Sequence, residues 1–296
     1  MTSIRLITNL VLVSVGVVFS ACSETTSNAG RDRDGSATGG ANGKADAQGG
    51  QAGAGGSSGS GGSSGSGDSG GPYTGPTVGA AKQFAALAYN SVTAANITTI
   101  VGSIGVSAAA LSSITGFDGA AYTKYGNDSL APNTGLTGLA QRNVTALVGN
   151  IDPRACDTNL TNVVGGLTGD VTLRPGVTCM NSFSADVLVN GRVYLDAGGD
   201  PNAFFIIRGK KTLTVADGAQ VILTNNARAC GVFWRISEAV TIGKTVQFQG
   251  TIIAGTAITM KTGSKLNGRA LAQTAGVQLD ANTITAPSDG ECPHVQ

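Results

Sequence analysis

The feature that most constrains this chain is an internal repeat towards its C-terminal end. Residues 238–255, EAVTIGKTVQFQGTIIAG, align without a gap on residues 256–273, TAITMKTGSKLNGRALAQ, at an offset of 18. Ala239 falls on Ala257, Val240 on Ile258, Thr241 on Thr259, Ile242 on Met260, Phe248 on Leu266, Gly250 on Gly268, Ile252 on Ala270 and Ala254 on Ala272. The next turn, GVQLDANTI at 276–284, restarts the pattern after one extra residue. TLTVADGAQVIL at 212–223 precedes it in the same frame, and RVYLD at 192–196 fits more loosely. A fixed period of this kind marks a stacked architecture, in which one unit cannot bury its apolar side alone and neighbours complete it.

Within each unit apolar and polar residues alternate, the period of a strand. Three short strands per turn, separated by Gly, Asn or Asp corners, give a solenoid of triangular section whose turns stack at about 4.8 Å. Val240, Ile242, Phe248, Ile252 and Ala254 then point inward onto Ile258, Met260, Leu266, Ala270 and Ala272 of the following turn. An irregular stretch, NNARACGVF at 225–233, interrupts the ladder.

The chain ahead of the repeats is different. VGAAKQFAALAYNSVT at 78–93 has helical spacing through Phe84, Leu87 and Ala88, and TTIVGSIGVS at 98–107 reads as strand. GLTGLAQRNVTALVGN at 135–150 places Leu136, Leu139, Val144 and Leu147 on one side of a helix, with Asp152-Pro153 just past its end as a stop. Such a stripe needs a surface to cover, and the flank of the solenoid supplies one.

The first residues carry an address. MTSIRLITNLVLVSVGVVFSAC has Arg5 ahead of an apolar run from Leu10 to Phe19, then small residues, the layout of a secretory signal too short for a stable membrane span. Phe19-Ser20-Ala21-Cys22 resembles a bacterial lipobox, which implies removal of residues 1–21 and acylation of Cys22. No Asp follows Cys22, so the inner-membrane retention signal of some lipoproteins is absent, and the expected location is the outer membrane of a bacterial envelope. From Ser27 to Gly71 the chain is Gly, Ser, Ala and Asn with a few charges, so residues 22–72 are expected to form a lipidated, disordered tether with a reach of roughly 35–40 Å. Residues 73–296 remain as one folded domain.

Several function classes are excluded by composition. Net charge is +1, which gives no electrostatic footprint for nucleic acid. The single histidine, His294, lies at the very end, so a Ser-His-Asp triad or a histidine zinc motif has nothing to build on. The acids Asp170, Asp186, Asp196, Asp200, Asp217, Glu238 and Asp280 are scattered, several in turn contexts, and no pair falls in one column of the repeat. Neither catalysis, cofactor nor metal is expected. With Cys22 lipidated, four cysteines remain and allow three pairings. Cys156–Cys179 would close a short loop and Cys230–Cys292 would pin the C-terminal tail.

The domain resembles the bacterial and fungal ice-binding proteins. The matching segments are VGAAKQFAALAYNSVT, VGSIGVS, ITGF at 114–117, LTGDVTLRPGVT at 167–178, LDAGGDPNAFFI at 195–206, ACGVFWRI at 229–236 and LNGRALAQTAGVQLDANTIT at 266–285. The resemblance implies a mainly β fold: a right-handed, discontinuous β-helix whose first and last segments complete one stack, with a long α-helix alongside and a capping insertion near residues 116–135. It also implies adsorption to ice; the domain is expected to act as a monomer.

Ice adsorption calls for a flat, rigid array of hydroxyls and methyls, and threonine carries both on a stiff β-branched stem. One outward ladder reads Thr212, Thr214, Thr241 and Thr259. A second is expected on the next strand face, where the family often has Thr-Ala/Gly-x-Thr/Asn. Here the turns read Asp217-Gly218-Ala219-Gln220, Lys244-Thr245-Val246-Gln247 and Thr262-Gly263-Ser264-Lys265, offering Thr245, Thr262 and Ser264. Lys244 and Lys265 would roughen that plane. The competing expectation is a non-catalytic surface adhesin or spacer. Its polar face would bind a polysaccharide or partner protein through a strip of Lys210, Lys211, Lys244, Lys261 and Lys265.

Overall fold

The computed structural model describes residues 75–117, 122–127, 135–160, 166–180, 186–288 and 291. They form one continuous parallel β-ladder system with a single long helix, α1 (Leu136–Ile151), packed against it. Each coil carries three strand positions, and every pairing between coils is parallel.

The three walls differ in what covers them. The first is built from Gly176–Met180, Phe205–Gly209, Val232–Ile236, residues 251–254, residues 269–272, Phe84–Ala88 and Ser103–Val106, in that stacking order. It is covered on both sides, so every residue of Val232–Ile236 and Phe84–Ala88 is buried. Its inner residues join the central core, where the Trp234 ring packs tilted against Phe248 with centroids 4.8 Å apart and donates its indole N–H to the Gln249 carbonyl at 3.0 Å. Its outer residues Val177, Ile206, Phe233, Ile253 and Leu271 pack under Ala140, Val144, Leu147 and Ile151 of α1.

The C-terminal end of α1 is clamped electrostatically. Arg235, almost fully buried, pairs with Asp152 at 3.1 Å and donates to the Ile236 carbonyl. Arg208 donates to the carbonyls of Ile151 and Asp152, placing a cation on the negative end of the helix dipole. Cys156 is disulfide-bonded to Cys179, tying the segment after α1 to the covered wall. Cys230 is also disulfide-bonded, with a sulfur 3.7 Å from the Glu291 carbonyl. Cys292 and Cys22 lie outside the described residues, as do the signal, the tether and most of the expected capping insertion.

The chain is discontinuous in the stack, as the resemblance implies. Residues 84–101 pair on the coil formed by residues 265–285: Ala86 on Ala270, Val92 on Val277 and Thr99 on Thr283. The helix α1 follows this first segment in the chain, ahead of the coils that wind back to it. Tight glycine corners let strands pass from one wall to the next. A Cβ on Gly268, at φ +156°, would stand 1.8 Å from the Gly250 carbonyl oxygen, so this corner accepts no side chain.

Two sequence expectations are corrected here. Residues 78–93 are not an α-helix: Gly79–Gln83 is a 3-10 turn and Phe84–Ala88 a strand. A strand buried on both faces shows a continuous apolar run, which short-range spacing cannot tell from a buried helix. Leu139 is 42% exposed and lies off the packed stripe, which Ala140 and Ile151 help to form instead.

Candidate functional site

The second wall is made of three-residue strands that expose one side chain each. Leu213–Val215, Val240–Ile242, Ile258–Met260, Val277–Leu279 and Val92–Ala94 stack in that order, followed by Ile114–Thr115. The flanking positions point inward, with Leu213, Val215, Val240, Ile242, Ile258 and Met260 buried. The middle position points out. Its column runs Leu188, Thr214, Thr241, Thr259, Gln278, Thr93 and Thr115, each registered on the next. Parallel pairing fixes these rungs about 4.8 Å apart, and the buried neighbours on either side hold each Cα in place.

Thr214, Thr241 and Thr259 therefore line up. Thr212 does not join them. It precedes the strand, and its hydroxyl and backbone N–H both bond the Asp186 carboxylate, which they hold below the usual carboxylate range. Thr93 and Thr115 were missed because the stack joins them to the repeats across more than a hundred residues of chain. A local signal was present: Val92-Thr93-Ala94 and Ile114-Thr115-Gly116 share the apolar-Thr pattern of Val240-Thr241-Ile242 and Ile258-Thr259-Met260.

The second expected ladder is a corner rather than a strand face. In each of the tetrapeptides at 217–220, 244–247 and 262–265 the second residue adopts positive φ, Gly218 at +74°, Thr245 at +55° and Gly263 at +73°. The third points inward, as Ala219, Val246 and Ser264. Ser264 is fully buried and donates to the Lys261 carbonyl at 2.9 Å, so it presents nothing to solvent. Thr245 turns its hydroxyl back to the Lys244 carbonyl at 2.8 Å. Thr262 donates to Asp280, which also accepts from Asn96; these bonds, Thr262 first, hold the Asp280 carboxyl below its ordinary value.

This corner rises beside the threonine column. Lys244, Lys261, Thr262 and Asp280 stand over a depression of ≈490 Å³ floored by Thr259, Gln278 and Thr93. On the other side of the column the neighbours are small: Ala239, Ala257 and Gly276. Of the expected lysine strip, Lys211 is paired with Glu238 at 2.9 Å, which raises its pKa. Among the described residues no three His, Cys, Asp or Glu side chains gather as a metal site, and no helix is long and apolar enough to cross a membrane.

The chain matches the "Ice-binding-like" family model over residues 86–285. An ice-binding protein from Nostoc sp. (strain HG1) is 36% identical over 212 residues, 70% of this chain and 73% of that one. The ice-binding protein of Leucosporidium sp. (strain AY30) is 30% identical over 225 residues, 71% of this chain and 83% of the relative. Among solved structures, the ice-binding protein of the Antarctic ascomycete Antarctomyces psychrotrophicus superposes with a TM-score of 0.64 at 30% identity, covering 73% of this chain and all of that one. An ice-binding protein from an Arctic yeast gives 0.65 at 28% identity, covering 72% and 95%. These relatives are named for ice binding, not for catalysis. The family match, the relatives and the discontinuous stack agree: the chain belongs to the ice-binding-like family of β-helical proteins.

Proposed function

We propose that this protein adsorbs to ice through the column of Thr214, Thr241, Thr259, Thr93 and Thr115. The registered column is the observation that carries the reading. Its hydroxyls and methyls repeat rung by rung, broken once by Gln278 between Thr259 and Thr93, on a ladder whose alternate residues are locked in the core. Threonine loses little further rotamer freedom on contact because its χ1 is already restricted. The small residues on one side admit a crystal surface, while the lysine-bearing corner on the other limits how far it extends. Thr262 marks the edge of the contact, its proton donated to Asp280 and its oxygen free to accept.

Thermal hysteresis and inhibition of ice recrystallisation by the purified protein test this reading, with Thr241→Tyr and Thr262→Tyr in parallel. Faceted crystals, and a loss of activity that is large for Thr241→Tyr and smaller for Thr262→Tyr, are expected. Round crystals together with salt-sensitive binding to an acidic polysaccharide would overturn it in favour of an adhesin that uses Lys244 and Lys261.

The same reading extends to placement in the cell. The protein is a monomer held by acylated Cys22 on the outer membrane of a bacterial envelope, and residues 22–72 act as a tether that lets the folded domain meet ice. Incorporation of labelled palmitate, abolished by Cys22→Ser, tests the anchor, and sedimentation of the chain without its signal tests the monomer.

A further inference from the structure

The threonine column crosses a joint. Thr214, Thr241 and Thr259 belong to coils late in the chain, whereas Thr93 and Thr115 belong to its first coils, and the two groups meet where Val277–Leu279 pairs with Val92–Ala94. The corner beside this joint is unusual. From Val215 to Gln220, Ile242 to Gln247 and Met260 to Lys265, four residues bridge one strand to the next; from Leu279 to Thr283 only three do, Asp280, Ala281 and Asn282. Ala281 takes φ +49° to make the shorter turn.

The side chain of Asn282 braces this shorter turn from the inside. It is 1% exposed, in the inward corner column that holds Ala219 and Val246 in earlier coils. Its carboxamide nitrogen lies 2.9 Å from the Lys261 carbonyl, 2.8 Å from Ser264 Oγ and 3.3 Å from the Ser264 carbonyl. Its oxygen accepts the Asp280 backbone N–H at 2.7 Å. On the far side its own N–H reaches Thr98 Oγ1 at 3.3 Å, and its carbonyl accepts from the Thr99 N–H at 2.8 Å. At the surface Asp280 accepts from Thr262 of the coil on one side and Asn96 of the coil on the other. Three corners distant in sequence, at 261–264, 280–282 and 96–99, are thus laced together beside the joint.

We propose that Asn282 is a positioning residue for ice contact, resting on the reading of the threonine column as the contacting surface: it sets the register and height of Thr93 and Thr115 against Thr259. An apolar side chain there would leave the Asp280 N–H, the Ser264 hydroxyl and the Lys261 carbonyl without this partner, and the first coils would be free to shift relative to the last. Ice would then meet two short columns instead of one long one. Asn282 touches no ice itself, so its whole effect passes through Thr93 and Thr115.

A mutant cycle on the full chain, read by recrystallisation inhibition with thermal unfolding alongside, tests this. Thr93→Val/Thr115→Val removes the two far hydroxyls without disturbing the joint and is expected to weaken activity roughly 25-fold, about fivefold for each. Asn282→Ala is expected to weaken it to the same level, and the triple variant to be no weaker than Thr93→Val/Thr115→Val. Amide exchange at Thr99 and Thr283 should quicken in Asn282→Ala. Full activity in folded Asn282→Ala, or an added loss in the triple variant, overturns the proposal. Thr241→Tyr separates the two readings: if it leaves activity intact, the column itself is the wrong surface, whatever Asn282 does. Should Asn282→Ala fail to fold, Asn282→Ser, whose shorter side chain cannot bridge the Asp280 N–H and the Lys261 carbonyl together, takes its place in the cycle with the same expectations.

Discussion

Thr241 sits at the middle of three consecutive threonine rungs, between Thr214 and Thr259. A tyrosine there would reach roughly 5 Å past the threonine methyl, from standard bond lengths. With rungs only about 4.8 Å apart, a crystal plane resting on that ring stands clear of both neighbours. Three of the five threonines then lose contact. Taking about 1 kcal/mol as the net worth of one hydroxyl hydrogen bond, the loss is about 3 kcal/mol, roughly a hundredfold in residence on the ice surface. Thr241→Val keeps the shape and removes one hydroxyl, so its loss is about 1 kcal/mol, or roughly fivefold. Neither change touches the core, because Val240 and Ile242 on either side carry the burial. Unfolding temperature should therefore move by no more than about 2 °C. Recrystallisation inhibition across a dilution series gives the ordering directly: wild type, then Thr241→Val, then Thr241→Tyr far behind. Equal potency for wild type and Thr241→Tyr at matched unfolding temperature would refute the argument that a lattice plane rests on this column.

Three further outcomes follow from the same geometry. Lys244→Ala and Lys261→Ala lower the hydrated wall beside the depression and should raise ice activity; reduced activity would mean the lysines take part in contact, and unchanged activity that the corner does not limit it. Leu147→Ala removes a buried side chain between α1 and the covered wall and should cost about 2–4 kcal/mol in denaturant unfolding, while activity per folded molecule stays the same. Stability should be level from about pH 5 to 9 and fall in acid. Asp280, Asp186 and Asp196 have folded pKa values below their unfolded ones, so their contribution is complete above the ordinary carboxylate range and is lost as pH drops through the folded values. Lys211, raised by Glu238, adds a contribution that is complete below the ordinary lysine value and fades at higher alkaline pH. Calorimetry across that range checks both signs.

How much of this could be read from the chain depended on whether a residue's neighbours were near it in sequence. The repeat at an offset of 18 exposed the inward set from Val240 to Ala272 because each coil is the template for the next, and all ten residues are buried. Thr241 and Thr259 were legible for the same reason. Phe84–Ala88 was not: both its faces are covered, one by the coil core and one by α1, so the alternation that identifies a strand is erased. Ser264 was misread because an inward corner position is apolar in most coils, and a polar residue there resembles a surface one until Asn282, its hydrogen-bond partner, is placed beside it. Thr93 and Thr115 carried the right local pattern, but nothing nearby in sequence says that the first coils stack on the last. That closure is a tertiary event, set by Ala86 on Ala270 and Thr99 on Thr283. It also lengthens the exposed column from the three rungs the repeat supplies to a surface running from Thr214 to Thr115. A solenoid that simply ended at Thr285 would leave an open ladder edge and a column too short to span many lattice repeats. Folding the first coils onto that edge covers it and extends the column in one step, which makes the joint beside Asn282 the place where stability and reach along ice are decided together.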